Sequence, residues 1–118
     1  MKIGKFAKLT GISPYTLRFY EKNQLIRVQR NLNGQRYYGE GDIEWAKFLQ
    51  RLKNTGMPLK EIRTYAEWRY EGSETVSLRL ALLEKHRLYV VQEKIKWETY
   101  LDNLNEKIEH YRVMLDKK

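Results

Sequence analysis

The sequence contains no cysteine and only two histidines, and each shortage excludes a class of chemical site. Without cysteine there is no disulfide, no thiolate metal site and no thiol redox switch, and two histidines are too few for a zinc site of the usual kind. No stretch approaches the roughly 18 apolar residues that span a membrane, and residues 1–5 lead into no apolar signal segment. We therefore expect a cytoplasmic protein with no membrane partner, no metal and no cofactor.

Positive charge is abundant but unevenly placed. The chain carries a net charge of +8; residues 1–38 contain eight Lys/Arg and one acid, residues 39–71 six of each, and residues 72–118 nine Lys/Arg and eight acids. A solvated face of a basic protein is one explanation. Confinement of the excess to one short segment instead favours contact with a polyanion, either nucleic acid or an anionic surface.

The first forty residues contain the signals of two short helices joined by a tight turn. Ile3 and Phe6 recur at helical spacing, and Gly11 is suited to end that helix in the left-handed conformation. Ser13 and Pro14 then provide an N-cap and a first-turn proline for a second helix. This pattern indicates a helix-turn-helix, whose second helix is free to enter a major groove.

Arg18 on the second helix is the strongest candidate for reading bases, because a guanidinium donates two parallel hydrogen bonds to a guanine edge. A salt bridge to Glu21 is the alternative for this side chain. Tyr15, near the start of the helix, is placed to reach a base or a thymine methyl. Tyr20 suits the core as well as it suits a phosphate contact.

A β-hairpin is predicted next. Two strands, residues 25–28 and 35–38, flank a turn at Asn33-Gly34, which is a strong hairpin signal. Arg30 and Arg36 would lie along the phosphates beside the second helix, as the wing of a winged helix-turn-helix. A merely solvated hairpin is the alternative.

Several motifs together closely resemble the MerR family of bacterial transcription regulators. They are Ile3-Gly4-Lys5-Phe6-Ala7, Gly11-Ile12-Ser13, Thr16-Leu17-Arg18-Phe19-Tyr20-Glu21, residues 34–38, Asp42-Ile43 and residues 56–62. The resemblance implies DNA contacts by Tyr15, Thr16, Arg18, Phe19 and Tyr20 of the recognition helix and by Arg36, Tyr37 and Tyr38 of the wing. Gly39 and Pro58 depart from the family pattern, which commonly has a serine helix cap there, and predict weaker caps.

Apolar spacing predicts a third helix over Ile43 to Leu52, ended by Asn54-Thr55-Gly56, and a fourth helix starting near Leu59. Aromatic residues are concentrated here. We interpret them as core or dimer packing, with a small pocket for an aromatic or hydrophobic effector as the alternative. They are Trp45, Tyr65, Trp68 and Tyr70.

From Gly72 onward the apolar residues keep a seven-residue period, which indicates a long coiled-coil helix. Because Arg87 and Lys94 interrupt one of its two rows, the tightest pairing is expected from Trp97 on. A helix of some 40 residues is about 60 Å long and cannot bury its stripe on the preceding domain alone. One row is Val76, Leu83, Val90, Trp97, Leu104 and Tyr111, and the other is Leu80, Arg87, Lys94, Leu101, Ile108 and Leu115.

The sequence therefore predicts a mainly α protein, with a winged helix-turn-helix DNA-binding domain over residues 1–71 and a dimerisation helix over residues 72–118. The resemblance implies a homodimer through an antiparallel coiled coil; a helix that folds back on its own chain is the alternative. Two copies imply an inverted-repeat operator in double-stranded promoter DNA. The dimer contacts would be Val76, Leu83, Val90, Trp97, Leu101, Leu104, Ile108, Tyr111 and Leu115.

The resemblance also implies that the bound dimer bends and untwists a promoter read by RNA polymerase. The effector stays unidentified. The tail is most similar to the small-molecule or aldehyde-responsive branch, whose members carry a cysteine on the third helix about where Arg51 stands, so thiol sensing by that route is excluded. No effector domain is expected beyond the seam unless the chain is longer than these residues, which leaves constitutive action or a ligand at the dimer interface.

Three other classes fit less well. An architectural or excisionase-like DNA-bending protein would share the winged head but would not need a long dimer helix. A coiled-coil adaptor would share the tail but would not need the charge on residues 1–38. An enzyme is disfavoured, because we find no phosphate loop, nucleophile–base set or metal cluster, and Glu40 with Asp42 is explained by the positive end of the third helix.

Overall fold

The computed structural model describes residues 1–117 and divides into two compact units, residues 1–82 and the residues from Leu83 onward. The predicted mainly α class is confirmed. In chain order the elements are α1 (Ile3–Thr10), α2 (Pro14–Lys22), β1 (Gln29–Arg30), β2 (Arg36–Tyr37), α3 (Gly41–Asn54), α4 (Leu59–Glu71), a 3-10 turn (Ser73–Thr75) and α5 (Val76–Asp116).

The junction of α1 and α2 forms as the sequence predicts. Gly11 adopts a left-handed φ of 71° and its N–H donates to the carbonyl of Ala7 at 2.9 Å, which closes α1. The Ser13 hydroxyl accepts from the N–H of Thr16 at 3.1 Å, with Pro14 in the first turn of α2. Leu17 is fully buried. The helix-turn-helix therefore rests on one left-handed glycine and one hydroxyl cap.

The hairpin differs from the prediction at its first strand. Leu25 and Ile26, predicted to begin that strand, are buried in the core at 2% and 1% exposure, and the indole N–H of Trp45 donates to the Leu25 carbonyl at 3.0 Å. Pairing begins only at Gln29, opposite Tyr37. The apolar pair serves the core rather than the sheet, so the wing is shorter than its β-propensity suggests.

The turn is of a different type from the two-residue turn that Asn33-Gly34 usually forms. Only Gly34 of the turn has a positive φ, 76°. The side-chain oxygen of Asn31 accepts from the N–H groups of Asn33 and Gln35 at 3.0 and 2.9 Å, and Asn31 pairs through its own N–H with the Gln35 carbonyl. The result is a three-residue loop with glycine at the left-handed position.

The aromatic concentration packs in the core of the first unit. Trp45 is 4% exposed and stacks on Tyr65 with ring centroids 5.8 Å apart, while the Arg69 guanidinium lies 4.4 Å from the centre of the Trp45 ring. Tyr70 meets Trp45 edge-on, and Trp68 is half-buried. Core packing is thereby confirmed for Trp45 and Tyr65.

The helix caps also follow the expectation in part. Pro58 precedes α4 without any side-chain cap bond. Before α3, however, the Gly39 N–H donates to the Asp42 carboxylate at 3.0 Å. An acid in the first turn therefore supplies part of the stabilisation that a cap side chain would have given.

The helix α5 is uninterrupted over 41 residues, as its period predicts. Gly72, with φ 107°, separates it from α4, and the Arg79 guanidinium donates to the Gly72 carbonyl at 3.0 Å. In the second unit every residue from 94 to 117 is exposed. No helix within residues 1–117 is long and apolar enough to cross a membrane.

Candidate nucleic-acid interface

One face of α2 presents polar and aromatic side chains to solvent. Tyr15 is 80% exposed, Phe19 is 37% exposed, and Arg18 and Lys22 are exposed as well. Their spacing of three, four and seven residues places them on one side of the helix. Thr16 is half-buried and its hydroxyl accepts from that of Ser13 at 3.0 Å. The predicted recognition-helix residues other than Tyr20 thus share one accessible surface.

The wing is joined to α2 by ion pairs. Arg30 Nη2 lies 3.0 Å from one Glu21 oxygen, and Arg36 Nε donates to the other. Glu21, considered above as a partner for Arg18, is therefore engaged by the two wing arginines. The side chains are 46% (Arg30), 28% (Arg36) and 21% (Glu21) exposed, so the network lies at the surface.

Two of the eight predicted contact residues lie in the core. Tyr20 is 1% and Tyr38 is 0% exposed, and within the described residues neither hydroxyl has a hydrogen-bond partner. Tyr38 stacks on Phe6 with ring centroids 4.2 Å apart and an angle of 10°. Tyr37, its neighbour, is 49% exposed. In this conformation Tyr37 is available to a ligand surface, and the rings of Tyr20 and Tyr38 are not.

The pKa values of the two buried hydroxyls are also shifted. Burial raises the pKa of Tyr20, and it is the largest cause of the raised pKa of Tyr38. The Glu21 carboxylate raises the pKa of Tyr38 further, whereas Arg36, Arg18 and Arg30 oppose the rise. Tyr38 therefore lies within reach of the charges of both α2 and the wing.

Sequence reasoning missed the basic residues of α4. Arg63 donates to the side-chain oxygen of Asn23 at the end of α2. A groove of about 690 Å³ beside it is lined by Lys60 and Arg27 as well as by Glu67. Residues 39–71 balance six Lys/Arg against six acids. Net charge by segment therefore hid the local proximity of these cations to the helix-turn-helix.

A tight helix-turn-helix with an exposed second helix, flanked by a two-stranded hairpin, is the winged helix-turn-helix class of DNA-binding fold. Comparison with known proteins identifies the group within that class. The model of the MerR HTH family regulatory proteins matches residues 1–67. The chain belongs to the MerR family of transcription regulators, as its motifs predict.

Individual relatives and a solved structure agree with this family assignment. The chain is 41% identical over 109 residues to an uncharacterized HTH-type transcriptional regulator of Haemophilus influenzae, covering 92% of this chain and 81% of the relative. It is 34% identical over 93 residues to the HTH-type transcriptional regulator AdhR of Bacillus subtilis, covering 78% and 66%. HiNmlR, described as a MerR family regulator lacking the sensor domain and bound to promoter DNA, superposes with a TM-score of 0.84 at 40% identity, covering 94% of this chain and 89% of that one.

The Tyr38→Phe variant tests the buried hydroxyl. A hydroxyl buried without a partner costs stability, so its removal should raise the free energy of unfolding at pH 7 by about 1 kcal/mol. Because the folded-state pKa is raised, the neutral form is favoured by folding, and stability present below about pH 10 falls as pH rises further. Tyr38→Phe should reduce that alkaline loss, measured by urea denaturation at pH 7 and pH 10.5.

Tyr15→Phe is the matched control, since the Tyr15 ring is 80% exposed. It should leave stability unchanged at both pH values. A Tyr38→Phe protein that is less stable than the parent at pH 7 would show that the hydroxyl has a stabilising partner.

Proposed function

We propose that this regulator binds promoter DNA as a homodimer, reading base edges with α2 and contacting phosphates with the wing. The observation that carries the proposal is the exposed face of α2, with Tyr15 and Arg18, beside a wing with two arginines. The likeness to HiNmlR, a family member described as bound to promoter DNA, supports it.

In this proposal α2 and the wing make different kinds of DNA contact. Arg18 and Tyr15 provide the donors and the ring that distinguish bases, with Thr16 and Phe19 beside them on the helix. Arg36 and Tyr37 provide sequence-independent phosphate contacts. For Tyr20 and Tyr38, any contact between a hydroxyl and DNA requires the wing or α2 to move, because both are buried.

The second unit supports the dimer. From Trp97 onward its apolar seam is left in water in a single copy: exposed fractions run from 42% at Ile108 to 67% at Trp97. Leu101, Leu104 and Leu115 lie between these values, at 55%, 58% and 65%. An isolated helix with such a stripe is marginal, and a second copy packed on it would remove the stripe from water. Leu83 and Val90 are half-buried in one copy, so the pairing should be tightest beyond Trp97.

The symmetry of the dimer then determines the symmetry of its DNA site. Two winged heads related by a two-fold axis bind an inverted repeat. Bending a site of this size costs on the order of 1–6 kcal/mol, offset by helix and wing contacts that form only on deformed DNA. As part of the proposal, the protein acts in the cytoplasm beside RNA polymerase and has no catalytic activity.

Footprinting with DNase I on the DNA upstream of the protein's own gene and of neighbouring genes tests the proposal. A protected inverted repeat inside a promoter is expected. Protection without two-fold symmetry would instead indicate an architectural DNA-bending protein. No protection on any promoter fragment, with the protein folded, would indicate a coiled-coil adaptor.

Arg18→Ala and Arg36→Ala should affect DNA binding differently. Loss of a base contact at Arg18 should reduce discrimination between operator and random DNA by about 1–3 kcal/mol. Arg36→Ala should weaken both alike and flatten the dependence of log K on log salt by about one per half-site. Fluorescence anisotropy over a salt series measures both quantities.

Arg112→Ala in α5 is the control for a lost positive charge and should change neither quantity. Equal loss of discrimination in the Arg18 and Arg36 variants would contradict the division between base reading and phosphate contact.

Replacing both Leu101 and Leu104 with lysine should separate the dimer. Four charges would then lie in the seam of two copies, where burial of unpaired charge is costly. Sedimentation velocity should show the monomer mass, and operator affinity should fall by at least about 100-fold, because each half-site would be bound separately.

Asn103→Lys with Asn105→Lys is the matched control, since it adds the same charge outside the two apolar rows. It should remain dimeric. A dimer mass for the leucine double variant at the same concentration would exclude this seam as the dimer interface.

A further inference from the structure

The two wing arginines are not equivalent in how their nitrogens are used. Arg30 and Arg36 face each other as register partners in the two-stranded sheet. Arg30 donates from Nη2 to Glu21 and from Nη1 to the Gly34 carbonyl at 3.2 Å. Each terminal nitrogen of Arg30 therefore already donates one hydrogen bond within the protein.

Arg36 contacts Glu21 through a different nitrogen. It donates to Glu21 from Nε, the inner nitrogen. Within the described residues its two terminal nitrogens make no hydrogen bond, although the side chain is only 28% exposed. In a planar guanidinium held at Nε, one N–H of each terminal nitrogen forms a parallel pair that points away from the carboxylate, and this pair of donors matches the spacing of two phosphate oxygens.

Glu21 is the acid at the centre of this arrangement. It is the single acid among residues 1–38, which contain eight Lys/Arg. An acid on a surface that meets phosphates weakens binding by repulsion, so its place there calls for a compensating role. Its two oxygens each hold one wing arginine, from a position on the recognition helix.

We propose that Glu21 is a positioning residue that fixes the wing against the recognition helix, presents the free end of Arg36 to one phosphate, and keeps Arg30 as an internal brace. This inference rests on the proposed DNA-binding function. It assigns the phosphate contact to the less exposed arginine, whereas exposure alone would favour Arg30, at 46%.

Arg30→Gln and Arg36→Gln form a matched pair on the same hairpin. Arg36→Gln should flatten the salt dependence of binding to a random-sequence duplex by about one per half-site, whereas Arg30→Gln should leave it within error of the parent. Anisotropy with the full chain, on the footprinted operator and a scrambled duplex of equal length, measures both. Equal flattening by the two variants would overturn the proposal.

Glu21→Gln keeps the size of the side chain and removes its charge. Both arginines are released, so binding to the scrambled duplex should become tighter and its salt dependence steeper by about one per half-site. The wing is then no longer held in place on α2, so affinity for the operator should rise less than affinity for the scrambled duplex. Discrimination between the two should therefore fall on the order of tenfold. Adding Arg30→Gln to this variant should return the salt dependence to that of the parent.

Two controls keep the outcome interpretable. Glu44→Gln changes the same charge on α3, where Glu44 pairs with Lys47 of its own helix at 3.9 Å, and should preserve discrimination. Glu21→Asp retains the charge on a shorter side chain, so repulsion of phosphates remains and random-DNA binding should tighten less than in Glu21→Gln, while operator affinity falls. Thermal denaturation confirms that each variant is folded.

The failures of the two proposals are distinguishable. A parent protein that does not discriminate between operator and scrambled DNA contradicts the proposed function. A parent that discriminates, with a Glu21→Gln variant that discriminates equally and has the same salt dependence, contradicts only the role of Glu21.

Discussion

The stack of Phe6 on Tyr38 joins the first helix to the end of the wing, and the candidate DNA-binding surface depends on it. The two rings are fully buried and nearly parallel. The backbone of Tyr38 is also bonded to Met1, accepting from the terminal amino group and donating to the Met1 carbonyl. An aromatic pair contributes about 0.5–1.5 kcal/mol beyond its buried area. The wing therefore cannot leave α1 without exposing the centre of the core.

The hairpin has two further attachments. The Arg27 N–H donates to the Tyr70 hydroxyl at 2.9 Å and the Arg27 guanidinium lies 4.5 Å from the centre of the Tyr70 ring, which ties the base of the wing to α4. Glu21 ties its middle to α2. A two-stranded hairpin is marginal in isolation. Here it is held by α1, α2 and α4, so its orientation relative to α2 is set by these three attachments and not by its own short strands.

The parts of the fold that the sequence predicted are those specified by neighbouring residues. Gly11 and Ser13 act on residues within a few positions along the chain, and the apolar period of α5 repeats over many residues. The α1–α2 junction and the long helix could therefore be predicted from the sequence. The assignments that no local pattern specifies join distant positions: Tyr38 to Phe6, Arg36 to Glu21, Arg63 to Asn23. The Leu25 carbonyl likewise accepts from the distant Trp45 indole. The sequence thus indicated the region and residue types of the candidate site, while the pairing of its charges and the burial of Tyr20 and Tyr38 depended on tertiary structure.

The continuous exposure of residues 94 to 117 has a consequence for the lifetime of the protein. In the proposed homodimer, the helix is protected only while a partner is bound, and the fraction with a partner depends on how many copies are present. Below the dissociation constant the unpartnered helix frays and its backbone becomes open to proteases. Abundance would then govern turnover, and a scarce regulator would be cleared faster than an abundant one.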